Sequence, residues 1–199
     1  PHLIGVDDKN NVLAMQDLGT AADYTFLYQA PNKLSDEDAK ALIIFLNHLH
    51  NDIEKNNDPL LINTEMKQLN HQHIFIFPFV EENGFNLDTI TPGLQLASMQ
   101  YKTNKLLKEK IAVLGDIYLA SGKYLLHGDF YPGSWLKTPG AIKVIDPEFC
   151  FFGAAEFDLG VMLAHCHLSK QAQRTVQIIS EIYKKSEGFN ERLLQQFTG

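Results

Sequence analysis

Between residues 124 and 148 the chain alternates very short apolar runs with acidic loops, and that alternation limits what it can fold into. Tyr124-Leu125-Leu126 leads into His127-Gly128-Asp129-Phe130-Tyr131-Pro132-Gly133-Ser134. Trp135-Leu136-Lys137, a Thr138-Pro139-Gly140 turn and Ile142-Lys143-Val144-Ile145 follow, ending on Asp146-Pro147-Glu148. Runs of three or four residues bounded by Gly and Pro are too short for helices and predict strands. Strands this short cannot enclose a core alone, so the rest of the chain must supply helices to cover them.

The flanking sequence has that character. Residues 1–19 predict a β-hairpin, with Leu3 to Val6 and Val12 to Met15 on either side of a polar turn. Ser35 is a helix cap, followed by Asp36, Glu37 and Asp38 at the positive end of the helix dipole. Ala39, Leu42, Ile43, Leu46, Leu49 and Ile53 form that helix's apolar stripe. Asn56-Asn57-Asp58-Pro59 breaks it, residues 60–70 predict a short helix or loop, and His73 to Phe79 reads as extended. Thr91-Pro92 opens one long helix, which Gly122 ends. Residues 156–168, 170–185 and 190–197 predict three more helices. The expected fold class is α+β and mainly helical, with a small β-hairpin sheet carrying the acidic loops.

Composition sets outer bounds. At 199 residues the chain suits one sizeable core. A net charge of −7 without a Lys/Arg run disfavours nucleic acid and anionic membrane surfaces as partners. No apolar run reaches the ~18 residues of a membrane span, and the N-terminus lacks the basic and apolar regions of a signal peptide. Cys150 and Cys166 fit free thiols in a reducing, cytoplasmic setting. The chain opens on Pro1 and not on Met, which predicts a piece of a longer protein.

Asp129 follows a strand in a loop stiffened by Pro132 and Gly133, where a carboxylate can receive the proton of an incoming hydroxyl or orient it. Asp146 and Glu148 flank Pro147 and offer hard oxygens of the kind that hold Mg²⁺ on nucleotide phosphates, with Ser134 as a further oxygen near metal or phosphate. Taken alone, Asp129 is as readily a surface turn residue; the joint pattern favours chemistry. His48/His50, His71/His73 and His165/His167 form three H-x-H pairs. Two of these pairs fall in expected helices, where such rings diverge, and no Cys or acid completes a ligand set, so a transition-metal site is disfavoured. Trp135, Phe149, Phe151 and Phe152 read first as core packing, with a pocket wall as the alternative.

His127-Gly128-Asp129 with Ser134 five residues on, then Ile145-Asp146, resembles the catalytic and metal-binding motifs of the aminoglycoside phosphotransferase group of kinase-like enzymes. Gly133-Ser134, Ile145-Asp146-Pro147-Glu148-Phe149 and Leu69 to Phe75 look most like the methylthioribose kinases within it. The resemblance implies the C-terminal lobe of a protein-kinase-like fold, with Asp129 catalytic and Asp146 on Mg²⁺, Glu148 and Ser134 being secondary. It makes His127 a loop-ordering residue and has Asp158, in Phe157-Asp158-Leu159-Gly160, brace the catalytic loop through its amides; a simple helix N-terminal acid is the alternative. Met15 to Gly19 resembles the hinge between lobes, where the backbone of Gln16 and Leu18 would bind adenine; a strand-end turn serves equally. Residues 1–19 are then a remnant of N-lobe strands and hinge, 20–199 the helical catalytic lobe, and the missing N-terminal lobe a partner.

The expected function is an ATP-dependent phosphotransferase acting on a small-molecule hydroxyl, of a sugar, an aminoglycoside-like compound or an amino alcohol. Acidic loops suit a cationic acceptor; the methylthioribose-kinase-like motifs suit a neutral sugar. The alternative is a catalytically incompetent kinase-like binding module or inactive fragment. A metal-dependent hydrolase is disfavoured because two-metal sites need more ligands than these loops carry. The sequence does not fix the oligomeric state.

Overall fold

Helices dominate the computed structural model, which describes residues 2–53, 61–186 and 188–199. Strands β1 (Leu3–Asp7) and β2 (Val12–Met15) form the expected antiparallel hairpin. Leu3, Ile4, Val6, Val12, Leu13 and Met15 all lie exposed on it. Helix α1 (Asp36–Asn51) begins where the sequence predicts, with the Ser35 hydroxyl accepting the Asp38 N–H at 3.1 Å. It ends before the predicted break: the Asp52 N–H bonds back to the His48 carbonyl, and Ile53, expected on the apolar stripe, is exposed beyond the helix. The predicted breaker at 56–59 lies outside the described residues.

Two predictions need correction. Residues 73–79 are not extended. Helix α2 (Thr64–His71) runs on through a π-helical turn, Gln72–Ile76, and a 3₁₀ turn, Phe77–Phe79. Alternating Ile and Phe suggested a strand, but packing decided otherwise. Phe75 is buried against Tyr118, with ring centroids 5.4 Å apart, a contact that the helical path delivers. The long helix from Thr91 is in fact two, α3 (Leu94–Lys102) and α4 (Lys105–Leu119). Asn104 separates them: its side chain accepts the Leu107 N–H at 3.0 Å and starts a new helix. The second helix stops at Leu119, short of Gly122.

The short strands form two sheets. Strand β3 (Ala22–Asp23) pairs with β5 (Trp135–Lys137), which pairs with β6 (Ile142–Val144) across the Thr138-Pro139-Gly140 turn; both pairings are antiparallel. Strand β4 (Tyr124–Leu126) pairs instead with β7 (Phe151–Gly153), part of the aromatic run assigned to packing. The two acidic loops therefore lie between two sheets. Helices α5 (Glu156–Leu168), α6 (Gln173–Ile182) and α7 (Glu191–Thr198) complete the fold.

Helix α5 is buried on most sides, as its nearly all-round apolar sequence requires. It sits between two apolar clusters. Leu159, Met162, Leu163 and Cys166 join α1, α6, Trp135 and Phe130 in one. Phe157 and Val161 join α4, Phe75, β4 and β7 in the other. Gly160 allows α7 close: a Cβ there would stand 2.6 Å from that of Phe197. Among the described residues, no helix is long and apolar enough to cross a membrane.

Candidate active site

Asp158 organises the loop that follows β4. It is fully buried at the start of α5, and its carboxylate accepts the His127 N–H at 2.6 Å and the Gly128 N–H at 3.0 Å. The same carboxylate meets His50 Nε2 at 3.1 Å, and His50 Nδ1 is 2.7 Å from the Tyr183 hydroxyl. A buried carboxylate is tolerable only with such a set of donors. Gly128 turns the chain at φ +82°, where a side chain would overlap the Phe149 carbonyl of the second acidic loop. The turn leaves Asp129 half-buried beside the loop's apolar floor.

His127 and Ser134 tie the two loops together. His127 is buried and its Nε2 donates to the Ile145 carbonyl at 2.9 Å, while its Nδ1 accepts the Asp129 N–H at 3.3 Å. Ser134, also buried, donates its hydroxyl to the Asp129 carbonyl at 2.8 Å and accepts the Ile145 N–H on its own carbonyl at 3.0 Å. Both side chains are spent on the backbone.

Asp146 stands just past β6 at φ 60°, ψ 59°, a left-handed conformation that costs a non-glycine residue about 1 kcal/mol or more and that clusters at functional sites. Glu148 follows in a 3₁₀ turn, and both side chains are exposed. Burial raises the Asp129 pKa above the ordinary carboxylate range. The His127 field opposes the rise, and the negative charges of Asp158, Glu148 and Asp146 add to it. The acids of the two loops thus share one electrostatic neighbourhood. Among the described residues, no three His, Cys, Asp or Glu side chains converge as a ready-made metal cage. Two exposed carboxylates with open positions fit Mg²⁺, which usually takes one or two carboxylates together with phosphates and water.

Sequence reasoning missed two supports on α2. Asn63, itself at φ 46°, donates through Nδ2 to the Glu148 carbonyl at 2.7 Å and to the Cys150 carbonyl at 2.9 Å. Asn70 Nδ2 donates to the Gly128 carbonyl at 2.9 Å and to the Tyr118 hydroxyl at 3.0 Å. It also missed His50. An Asn or His inside a helical pattern gives no signal of its target until the helix is docked.

Asp129 opens onto a cavity of about 500 Å³. Phe75, Phe79, Ile111, Phe157 and Phe197 contribute apolar walls, and the cavity's polar groups include Asp129, Tyr101 and His165. At the other end of the chain, the Gln16 N–H extends the hairpin by donating to the His2 carbonyl at 2.8 Å. The half-buried Leu18 has no hydrogen-bond partner for its N–H among the described residues. The path from there is stitched to the acidic loop through β3 and through the Tyr24 N–H, which donates to the Pro132 carbonyl at 3.0 Å.

A methylthioribose kinase of Bacillus cereus is 24% identical over 197 residues, covering 98% of this chain and 46% of the relative. Methylthioribose kinase 1 of Oryza sativa subsp. japonica is 34% identical over 111 residues, 56% of this chain and 25% of the relative. In sequence, this chain resembles the methylthioribose kinases. It spans less than half the length of these relatives. No family model matches it. In fold it is similar to choline kinase LicA from Streptococcus pneumoniae, with a TM-score of 0.55 and 12% identity over 98% of this chain and 60% of that one. The architecture is that of a protein-kinase-like fold, mostly helical with small antiparallel sheets, and the relatives are small-molecule kinases.

Proposed function

We propose that the protein transfers the γ-phosphoryl group of ATP to a hydroxyl of a neutral sugar bearing an apolar substituent, methylthioribose being the first candidate. The observation that carries this reading is Asp129 at the edge of a largely apolar cavity, with Asp146 and Glu148 within its electrostatic reach. A carboxylate with a raised pKa is a better proton acceptor, and half-burial fixes where it can receive one. In this reading Asp129 orients the acceptor hydroxyl and takes its proton. Asp146, with Glu148 beside it, holds Mg²⁺, which when bound neutralises charge on the phosphates. His127, Ser134 and Asp158 position the loops and touch neither substrate. The Gln16 carbonyl and Leu18 N–H would grip adenine, and a further lobe would cover the phosphates.

The cavity argues against a polycationic acceptor. A compound carrying several ammonium groups needs several carboxylates, and among the described residues Asp129 is the acidic side chain in this lining. The name shared by the sequence relatives points the same way. The test is ADP release by the whole protein with Mg²⁺-ATP and methylthioribose. Asp129→Ala should lower kcat by about 10²–10⁴, the usual span for a positioned proton acceptor, while nucleotide binding persists. Unchanged turnover in that variant removes Asp129 from the reaction.

A further inference from the structure

Among the polar side chains around the cavity, His165 is held in a way that the mechanism above does not use. It belongs to one of the three H-x-H pairs, and α5 splits that pair: His167 is exposed, whereas His165 faces the cavity that also holds Asp129. The His165 ring is clamped. Its Nδ1 lies 2.6 Å from the Tyr28 hydroxyl, the Tyr28 ring meets it edge-on with centroids 5.9 Å apart, and the Tyr131 ring flanks it at 5.5 Å.

That clamp sets the tautomer. Tyr28 is 43% exposed, and partial desolvation of its phenol only raises a pKa that already lies far above neutrality, so the phenol keeps its proton. Burial also lowers the His165 pKa, which keeps the imidazole neutral. Between a phenol and a neutral imidazole, the phenol is the donor and Nδ1 the acceptor. The ring's single hydrogen then resides on Nε2, for which the described residues provide no partner.

We propose that His165, clamped by Tyr28, is an acceptor-binding residue that donates from Nε2 to a second oxygen of the neutral hydroxyl compound whose reacting hydroxyl lies on Asp129. The assignment rests on reading this cavity as the acceptor site. Its chemistry is specific: a neutral donor in an apolar wall favours a polyol or sugar oxygen, and offers nothing to the trimethylammonium group of choline. Together with Asp129, a second contact restrains the acceptor's orientation where one would let it turn.

The experiment combines a spectrum with kinetics on the whole protein. Histidine ring nitrogens of ¹⁵N-labelled protein are observed in long-range ¹H–¹⁵N spectra, with His165 assigned by its loss in His165→Leu. Methylthioribose, ribose and choline are titrated separately. The expected result is a His165 that is neutral and protonated on Nε2, whose signals move saturably with at least one of the two sugars. His165→Leu and Tyr28→Phe should each raise the KM for the sugar about tenfold, the effect of one lost hydrogen bond, with kcat changed less than about threefold. His165→Gln, whose amide can donate from nearly the same place, should restore most of the loss. If His165→Leu does not fold, the loss of the signal in His165→Gln assigns it, and the wild-type titration with Tyr28→Phe decides.

Shifts caused by choline alone, or by none of the three compounds, overturn the proposal. Methylthioribose turnover with an unmoved His165 signal and an unchanged KM overturns it too and leaves the transferase reading standing. A saturable sugar-induced shift at His165 without phosphoryl transfer to any of the three does the reverse, supporting the contact and removing the reaction.

Discussion

Replacing Asp158 with Asn tests how the candidate site is held. The side chain keeps its shape, but one of its two acceptor oxygens becomes an NH₂ group. The carboxylate serves three donors: the amides of His127 and Gly128 at 2.6 and 3.0 Å, and His50 Nε2 at 3.1 Å. If the amide oxygen faces His127 and His50, the NH₂ group confronts the Gly128 N–H, donor against donor. One buried donor left unmade costs about 1–3 kcal/mol, and the two bonds that remain lose their charge assistance, together about 1 kcal/mol more. Removing a buried charge returns some desolvation energy, but breaking a buried set from one side costs more than it returns. The net loss is about 2–4 kcal/mol. At roughly 2–4 °C per kcal/mol for a chain of this length, the melting temperature should fall by about 4–16 °C. Calorimetric or circular-dichroism melting at pH 7 reads this directly, and turnover should fall because the loop that carries Asp129 is loosened. A loss below about 2 °C would mean that the three bonds do not hold the loop, and the reasoning would fail.

Two further outcomes follow from the same geometry. Because the Asp129 pKa is raised in the folded protein, its ionised form costs stability above that pKa and nothing once both folded and unfolded states are protonated. Asp129→Asn should therefore melt higher than the native protein at pH 7, and the difference should close as pH falls below about 3.9. A gap that persists or widens on acidification would show that burial does not dominate this group. Asn70→Ala removes two bonds, to the Gly128 carbonyl and the Tyr118 hydroxyl, and should cost about 1–3 kcal/mol with a parallel loss of turnover; denaturant titration that finds less than half a kcal/mol would rule out this support.

Much of the scaffold was legible in the chain because it is encoded locally. Ser35 with three acids behind it can hardly be anything but a helix start, and the Thr138-Pro139-Gly140 turn sets the pairing of its flanking strands. The failures share one cause. Residues 73–79 carry strand-like alternation, yet Phe75 is taken up by Tyr118 and Leu114 on a neighbouring helix, a contact remote in sequence. The pairing of β4 with β7, about 25 residues on, is likewise remote in sequence and carried no local signal. At the site, the spacing of Asp129, Asp146 and Glu148 pointed to the loops. Their supports on other helices, Asn63, Asn70 and His50, were silent, since nothing in an isolated helix says which carbonyl or carboxylate its polar side chain will meet.

The anchoring of the Asp129 loop has a consequence for how the protein comes to be. Asp158 is 31 residues from His127, Asn70 is 58 from Gly128, and His50 is 108 from Asp158. Each contact closes a long stretch of chain, so the ordering entropy must be met before the bond returns anything. Secondary structure can form early, but the loop acquires its shape only when pieces from distant parts of the chain have all arrived. The loop's arrangement is thereby withheld from every partly folded form: a chain that has not yet docked α1, α2 and α5 has its acids but nowhere to hold them.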